Sequence, residues 1–231
     1  MKIAIDGPSG SGKSTLAKKL SEKLGIVYLD TGAMYRACAL QALRLGISPK
    51  SEKDVEKMIQ NLDLRILFEK GVQRVFLHDE DVSEEIRQPK VSLAASDISS
   101  LPAVRVKLVE MQRKIASTDS VVLDGRDIGS YVLPDAEYKF FLVADAEVRA
   151  QRRMEELRLK NISNQTFDEI LADIQYRDHQ DSTRAFVPLK KTPDAIVVDT
   201  SGRAPDETLQ FVLSYIDVSA KPDKESCRRG D

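Results

Sequence analysis

Two features of this 231-residue chain predict an α/β fold with a parallel sheet wound by helices on both faces. Five short apolar runs recur, each closed by an aspartate, and helix-like stretches lie between them. The runs read IAID, VYLD, VVLD, FFLVAD and AIVVD and end at Asp6, Asp30, Asp124, Asp145 and Asp199. They are continuous rather than alternating, as strands covered on both faces must be. Strands separated by helices pair in parallel. Ligands of such sheets bind beyond the carboxyl ends of the strands, the edge where these aspartates are expected. Asp145 reads instead as a cap for the helix behind it.

The first run leads straight into Gly7-Pro8-Ser9-Gly10-Ser11-Gly12-Lys13-Ser14-Thr15, a match to G-x-x-x-x-G-K-[ST]. Gly7, Gly10 and Gly12 let the backbone curl with positive φ, so that successive N–H groups point at one anion. The helix expected from Lys13 to Leu24 adds its free N–H groups and its dipole at the same point. Lys13 suits the β- and γ-phosphates of a nucleotide, and the Ser14 hydroxyl suits Mg²⁺. Asp124, closing the third run, is the second candidate metal ligand, direct or through water.

Taken in order, a second helix opens at Thr31 and carries Arg36 near its start. Segments 51–62 and 102–117 also read as helices. Between 63 and 81, LRILFE and VQRVFLHDE alternate in polarity around Lys70-Gly71, which predicts a hairpin. That hairpin interrupts the strand–helix rhythm, so 63–100 is expected to be an inserted subdomain within a core of 1–62 and 101–220. Ala144 to Arg184 reads as mostly helical. Residues 221–231 lack apolar content and read as a frayed tail.

Arginines narrow the chemistry. Arg149, Arg152 and Arg153 share a helical face at i, i+3 and i+4, a spacing at which like charges repel unless an anion joins them. Arg177, Asp181 and Arg184 share another, offering a carboxylate for sugar hydroxyls between donors for a phosphate or base. Arg126 follows the third run directly and should leave the sheet at its active edge, near Arg36. Planar guanidiniums bind phosphate oxygens in pairs, so the layout suits phosphoryl transfer between two bound phosphates, in which catalysis is positioning and charge neutralisation. An acceptor that is already an ionised phosphate demands no general base. His78 and His179 accordingly read as surface or packing residues.

Composition sets the outer limits. With 42% apolar and 31% charged residues, neither disorder nor a membrane protein is expected. No apolar run approaches the roughly 20 residues that span a bilayer, and no signal peptide is expected ahead of the first strand. A net charge of −2 argues against nucleic acid as a partner. Cys38 and Cys227 lie far apart, which predicts no disulfide and a cytoplasmic protein. Cys38 itself reads as a small core residue.

GPSGSGKST, LDTGAMYR, the D-V-S-x-E-I-R stretch from Asp81 to Arg87, LDGRDIGSYVLPDA and RD-x-x-D-x-x-R-A-x-x-P-L together resemble the bacterial cytidylate kinases over about residues 2–217. That resemblance implies a P-loop NTP hydrolase fold of nucleoside monophosphate kinase type, with 63–100 as the monophosphate-binding insert and a helical lid at about 146–165. It implies transfer of the γ-phosphate of ATP to CMP or dCMP with Mg²⁺. By the same resemblance Thr31 lies in the acceptor site, Arg36 and Arg126 grip the acceptor phosphate, and Arg177 and Asp181 hydrogen-bond the pentose. Ser96, Arg105 and Asp127 match residues that recognise cytosine, and Arg184 one that helps hold the acceptor. Arg149, Arg152 and Arg153 match lid arginines facing the donor phosphates. A monomer acting on small molecules is implied. Two other readings stay open on the residues alone: a P-loop kinase for another small acceptor, and a nucleotide-dependent switch. The switch is disfavoured by the lack of an N-K-x-D motif.

Overall fold

The computed structural model describes residues 1–69, 71–159 and 165–217. Lys70, residues 160–164 of the expected lid, and the expected tail at 221–231 with Cys227 lie outside the described residues. Five parallel strands form the central sheet: β1 (Lys2–Asp6), β2 (Val27–Asp30), β6 (Val121–Gly125), β7 (Tyr138–Val143) and β8 (Ile196–Asp199), in the order β2-β6-β1-β7-β8. The order reverses around β1 and β6, which makes their carboxyl ends the place where a crevice opens.

Alternation along the central strands divides the core in two. Ile3 and Ile5 face one side, where they pack with Leu16 and Leu20 of α1 (Lys13–Leu24) and with Leu209 and Val212 of α8 (Pro205–Leu213). Ala4 and Leu123 face the other side, against Met34 of α2 (Thr31–Arg44), Ile59 of α3 (Glu52–Gln60) and Leu108 of α5 (Pro102–Thr118). Ile3, Ile5 and Leu20 are wholly buried, and each such side chain is worth about 1.5–3 kcal/mol. This two-sided cover is why the apolar runs are continuous.

The expected hairpin is present. β3 (Leu64–Glu69) and β4 (Val72–Leu77) pair antiparallel, and a short β5 (Glu80–Asp81), not foreseen, pairs with β4. A 3₁₀ turn (Glu85–Arg87) leads to α4 (Pro89–Ile98), which packs on α2. Proline at the start of both α4 and α5 is pre-set for a first helical turn. Helices α6 (Ala146–Leu159) and α7 (Phe167–Thr183) pack together through Ala150, Leu157, Ile170 and Ile174. Thr166 and Glu169 close a capping box at the head of α7. Among the described residues no helix is long and apolar enough to cross a membrane.

Asp145 lies off that edge at the head of α6, as read, and Asp199 departs from it. β7 stops at Val143, so Asp145 lies beyond the strand, and its carbonyl accepts the Arg149 N–H at 3.0 Å, the first turn of α6. Asp199 closes an edge strand, is exposed, and accepts the Ser201 N–H at 2.8 Å. Both serve local turns. Asp6, Asp30 and Asp124 end strands β1, β2 and β6 at the crevice.

Gly7 takes φ +144°, and a Cβ there would stand 2.2 Å from the Leu142 carbonyl oxygen, a backbone atom of the neighbouring strand. Gly7→Ala should therefore lower unfolding free energy by about 2–4 kcal/mol, measured by urea denaturation. Wild-type stability in that variant would contradict the close approach of β1 to β7.

Candidate active site

Two cavities open at the carboxyl edge of the sheet, one of about 630 Å³ and one of about 160 Å³. They meet: Ser9, Gly10, Lys13, Ser14, Asp30, Arg36 and Arg177 line both. A group held in one therefore faces a group held in the other across Lys13.

The loop between β1 and α1 builds the larger cavity's floor. Gly10 and Gly12 take φ +77° and +88°, the left-handed turns that aim main-chain N–H groups inward. Ser11, fully buried, donates to the Pro8 carbonyl at 3.0 Å. Lys13 Nζ donates to the same oxygen at 2.6 Å. Burial and the nearby Arg126 guanidinium push the Lys13 ammonium well below its usual range, so an anion beside it would be strongly favoured. Arg152 and Arg153 of α6 line this cavity, and Thr15 does too.

Arg149 lies elsewhere. Its Nη1 donates to the Ser9 carbonyl at 3.0 Å, its Nε to the Ala144 carbonyl at 2.9 Å, and Asp178 takes Nη1 and Nη2 at 3.1 and 2.6 Å. The side chain clamps the phosphate loop from behind, and it lines neither cavity. Gly7 and Pro8 shape the loop through the backbone and Ser11 through its hydroxyl, and none of the three lines either cavity.

All nine residues expected at the acceptor (Thr31, Arg36, Ser96, Arg105, Arg126, Asp127, Arg177, Asp181 and Arg184) line the smaller cavity. They come from five different segments. Arg36 is anchored to Asp30 Oδ2 at 2.7 Å, and Asp30 also caps α2 through the Ala33 N–H. Arg126 Nε donates to Asp181 Oδ2 at 2.6 Å. Burial opposes the Asp181 charge, but Arg126, Arg184 and Arg177 outweigh it and hold the carboxyl below its usual range. Arg105, nearly sealed from solvent, pairs with Asp127 and lies 5.7 Å from the Tyr35 ring. Burial and Arg126 lower Arg177 to about 10.

Four buried polar atoms on this wall make no hydrogen bond: Arg36 Nε, Ser96 Oγ, Arg105 Nε and Arg184 Nη2. Buried donors are nearly always satisfied. Here they point to a ligand rich in acceptors.

Ser14 and Asp124 form the candidate metal pair. Ser14 Oγ donates to Asp124 Oδ2 at 2.7 Å, and the Tyr28 hydroxyl to Oδ1 at 3.0 Å. Burial and the neighbouring Asp30 carboxylate raise Asp124 above its usual range, a cost that a cation between these oxygens would relieve. Hard oxygen donors few enough to leave room for phosphate and water suit Mg²⁺. The residues fit the ion.

Sequence reasoning missed Gln73, whose amide accepts the Asp30 N–H at 2.7 Å and donates to the Asp30 carbonyl at 3.2 Å. The hairpin is thereby stitched to the residue that holds Arg36. Asp178 was missed as well, although it stands inside the quoted R-D-x-x-D stretch. His78 and His179 are exposed, as read. Cys38 is buried, as read.

A family model described as Cytidylate kinase matches residues 3–218. The chain is 48% identical over 211 residues to a cytidylate kinase of Caldicellulosiruptor bescii, covering 91% of this chain and 93% of that one. It is 47% identical over 216 residues to one of Clostridioides difficile, covering 94% and 98%. Among solved structures, an uncharacterized protein from Eubacterium ventriosum shares the fold with a TM-score of 0.54 at 16% identity, covering 94% of this chain and 98% of that one.

Asp6 fixes the turn behind Arg126 and Asp127, accepting the Ile128 and Gly129 N–H groups at 2.7 and 2.8 Å. Burial nonetheless raises its carboxyl to about 6. The folded chain then binds a proton that the unfolded chain, titrating near 3.8, does not, so this group adds stability as pH falls through 6. Asp6→Asn lacks that gain. Urea denaturation at pH 7 and pH 5 should show the difference growing in favour of wild type at pH 5. A difference that shrank would contradict the buried carboxyl.

Proposed function

The chain belongs to the cytidylate kinase family, and from that membership and the paired cavities we propose that it transfers the γ-phosphate of ATP to CMP or dCMP, giving ADP and CDP or dCDP. One observation carries the reading: a phosphate loop and an arginine-lined cavity, with four buried polar atoms that make no hydrogen bond, meet at Lys13.

ATP takes the larger cavity, its phosphates on the main-chain N–H groups of Gly10 to Thr15 and on Lys13. Arg152 and Arg153 approach from α6. Ser14 and Asp124 would hold Mg²⁺, directly or through water, and the ion would supply positive charge to the phosphate oxygens. CMP takes the smaller cavity. Its phosphate lies between Arg36 and Arg126, aimed at Lys13. Arg177 and Asp181 hold the pentose, and Thr31 and Arg184 complete the wall. Arg149 acts by bracing Ser9, which fixes the loop that grips the donor. We read 63–100 as the monophosphate-binding insert and about 146–165 as the lid.

The transferred group needs alignment and positive charge around its equatorial oxygens, both supplied by Lys13 and the guanidiniums. The acceptor phosphate arrives ionised, so no side chain has to remove a proton. Cytosine is selected by polarity. Arg105 orients the Asp127 carboxylate, which retains lone pairs for the exocyclic amine, while Ser96 Oγ and Arg105 Nε meet the ring's acceptors. Uracil puts an oxygen where the amine stands and leaves Asp127 facing it. We further propose cytoplasmic action, on the strength of two cysteines far apart in the sequence, and a monomer, on the family likeness alone.

A coupled assay of ADP release against a panel of acceptors tests this. CMP and dCMP should turn over rapidly, and UMP with a kcat/KM lower by roughly a hundredfold or more, because unpaired buried polar groups discriminate strongly. Equal rates for UMP and CMP would contradict the base-recognition argument. Turnover only with another small acceptor would favour the alternative kinase, and slow hydrolysis indifferent to acceptors would favour a switch.

A further inference from the structure

The smaller cavity has two walls that belong to distant parts of the chain. One is α4, contributing Ala95 and Ser96. The other is α7, contributing Arg177 and Asp181. One residue along from the lining on each wall, the Tyr176 hydroxyl of α7 donates to Asp97 Oδ1 of α4 at 2.5 Å. Lys50, from the segment between α2 and α3, stands 3.7 Å from the same carboxylate oxygen and 5.8 Å from the Tyr176 ring centre. The Asp97 side chain is 17% exposed and Lys50 66% exposed, so the contact sits on the rim rather than in the core. α4 and α7 pack against each other, and both line the cavity.

We propose that Tyr176 and Asp97 are positioning residues for the acceptor: their hydrogen bond ties α4 to α7 across the mouth of the smaller cavity and sets how long the nucleotide stays. The proposal rests on the reading of that cavity as the CMP site. Neither residue reaches the cavity itself. Each acts through its neighbour, Asp97 through Ser96 on the base side and Tyr176 through Arg177 on the pentose side. A hydrogen bond from a hydroxyl to a carboxylate is stronger than one between neutral groups. Loss of the bond favours the arrangement in which the walls part. Apparent affinity then falls by the fraction of molecules no longer competent to hold the ligand.

The test compares Tyr176→Phe, Asp97→Ala and Asp97→Asn in the full chain, with CMP release followed by stopped flow and KM measured for both substrates. Tyr176→Phe and Asp97→Ala should each speed CMP release and raise its KM by roughly three- to tenfold, the range of one net hydrogen bond, with KM for ATP unchanged. Asp97→Asn keeps an acceptor oxygen for a neutral hydrogen bond and should recover part of the loss. The double variant Tyr176→Phe/Asp97→Ala should be no worse than either single one. Unchanged CMP release in Tyr176→Phe overturns the proposal. So does an equal rise in both KM values tracking a lower melting temperature, or an Asp97→Asn as damaged as Asp97→Ala. A wild-type chain inactive toward CMP would instead remove the cavity assignment, and the latch with it; wild-type turnover with an unaltered Tyr176→Phe removes the latch alone.

Discussion

Positive charge packed at one edge of a parallel sheet is the constraint on which the rest of this structure depends. Lys13, Arg36, Arg105, Arg126, Arg177 and Arg184 all line one 160 Å³ cavity. Two unit charges 4 Å apart interact by about 4 kcal/mol at the effective dielectric of a protein surface, so six cations cannot share this space unaided. Asp30, Asp124, Asp127 and Asp181 are placed among them. The compensation is incomplete at Lys13 and Arg177, whose protons are held less tightly than usual because of burial and Arg126. Phosphate completes it. The same charges that strain the unliganded site therefore select its ligand.

Rigidity is what turns charge into catalysis. The phosphate loop is held by its own glycine turns, by the close approach of Gly7 to Leu142, and by Arg149 reaching Ser9 from α6 while Asp178 grips it from α7. On the acceptor side, Gln73 stitches the hairpin to Asp30, and Asp30 in turn anchors Arg36. Asp6 fixes the turn that presents Arg126 and Asp127. Arg36, Arg105 and Arg126 are thus each held by a carboxylate that sets their direction, the arrangement that electrostatic catalysis requires.

What could be read from the sequence divides along a physical line. The phosphate loop was legible because its chemistry is local: three glycines, a lysine and a serine act through positions only a few residues apart. The sheet was legible because two-sided burial leaves continuous apolar runs. Arg177, Asp181 and Arg184 were legible as a helical face, although Arg184 lies just past the end of α7. Ser96, Arg105 and Asp127 came only from likeness to known motifs, since nothing local joins three residues on separate segments. Gln73 and the Tyr176–Asp97 pair left no signal, and Asp178 left only its place in a motif, because their meaning lies in contacts between separate elements. Arg149 was legible as a charge near the donor but not in its direction. The helical pattern gave its face, whereas packing of Ala150 and Leu157 between α6 and α7 decides where that face points.

The central claim is that one rigid edge holds two phosphates head to head across Lys13. It is tested most directly by calorimetric binding of a single molecule in which adenosine and cytidine are joined 5′ to 5′ through a polyphosphate long enough to span both cavities. The account predicts affinity about a hundredfold or more above that of ATP or CMP alone, as expected when the second contact becomes intramolecular, with most of the gain lost in Arg126→Ala. Affinity no better than that of ATP, or a gain untouched by Arg126→Ala, would contradict it.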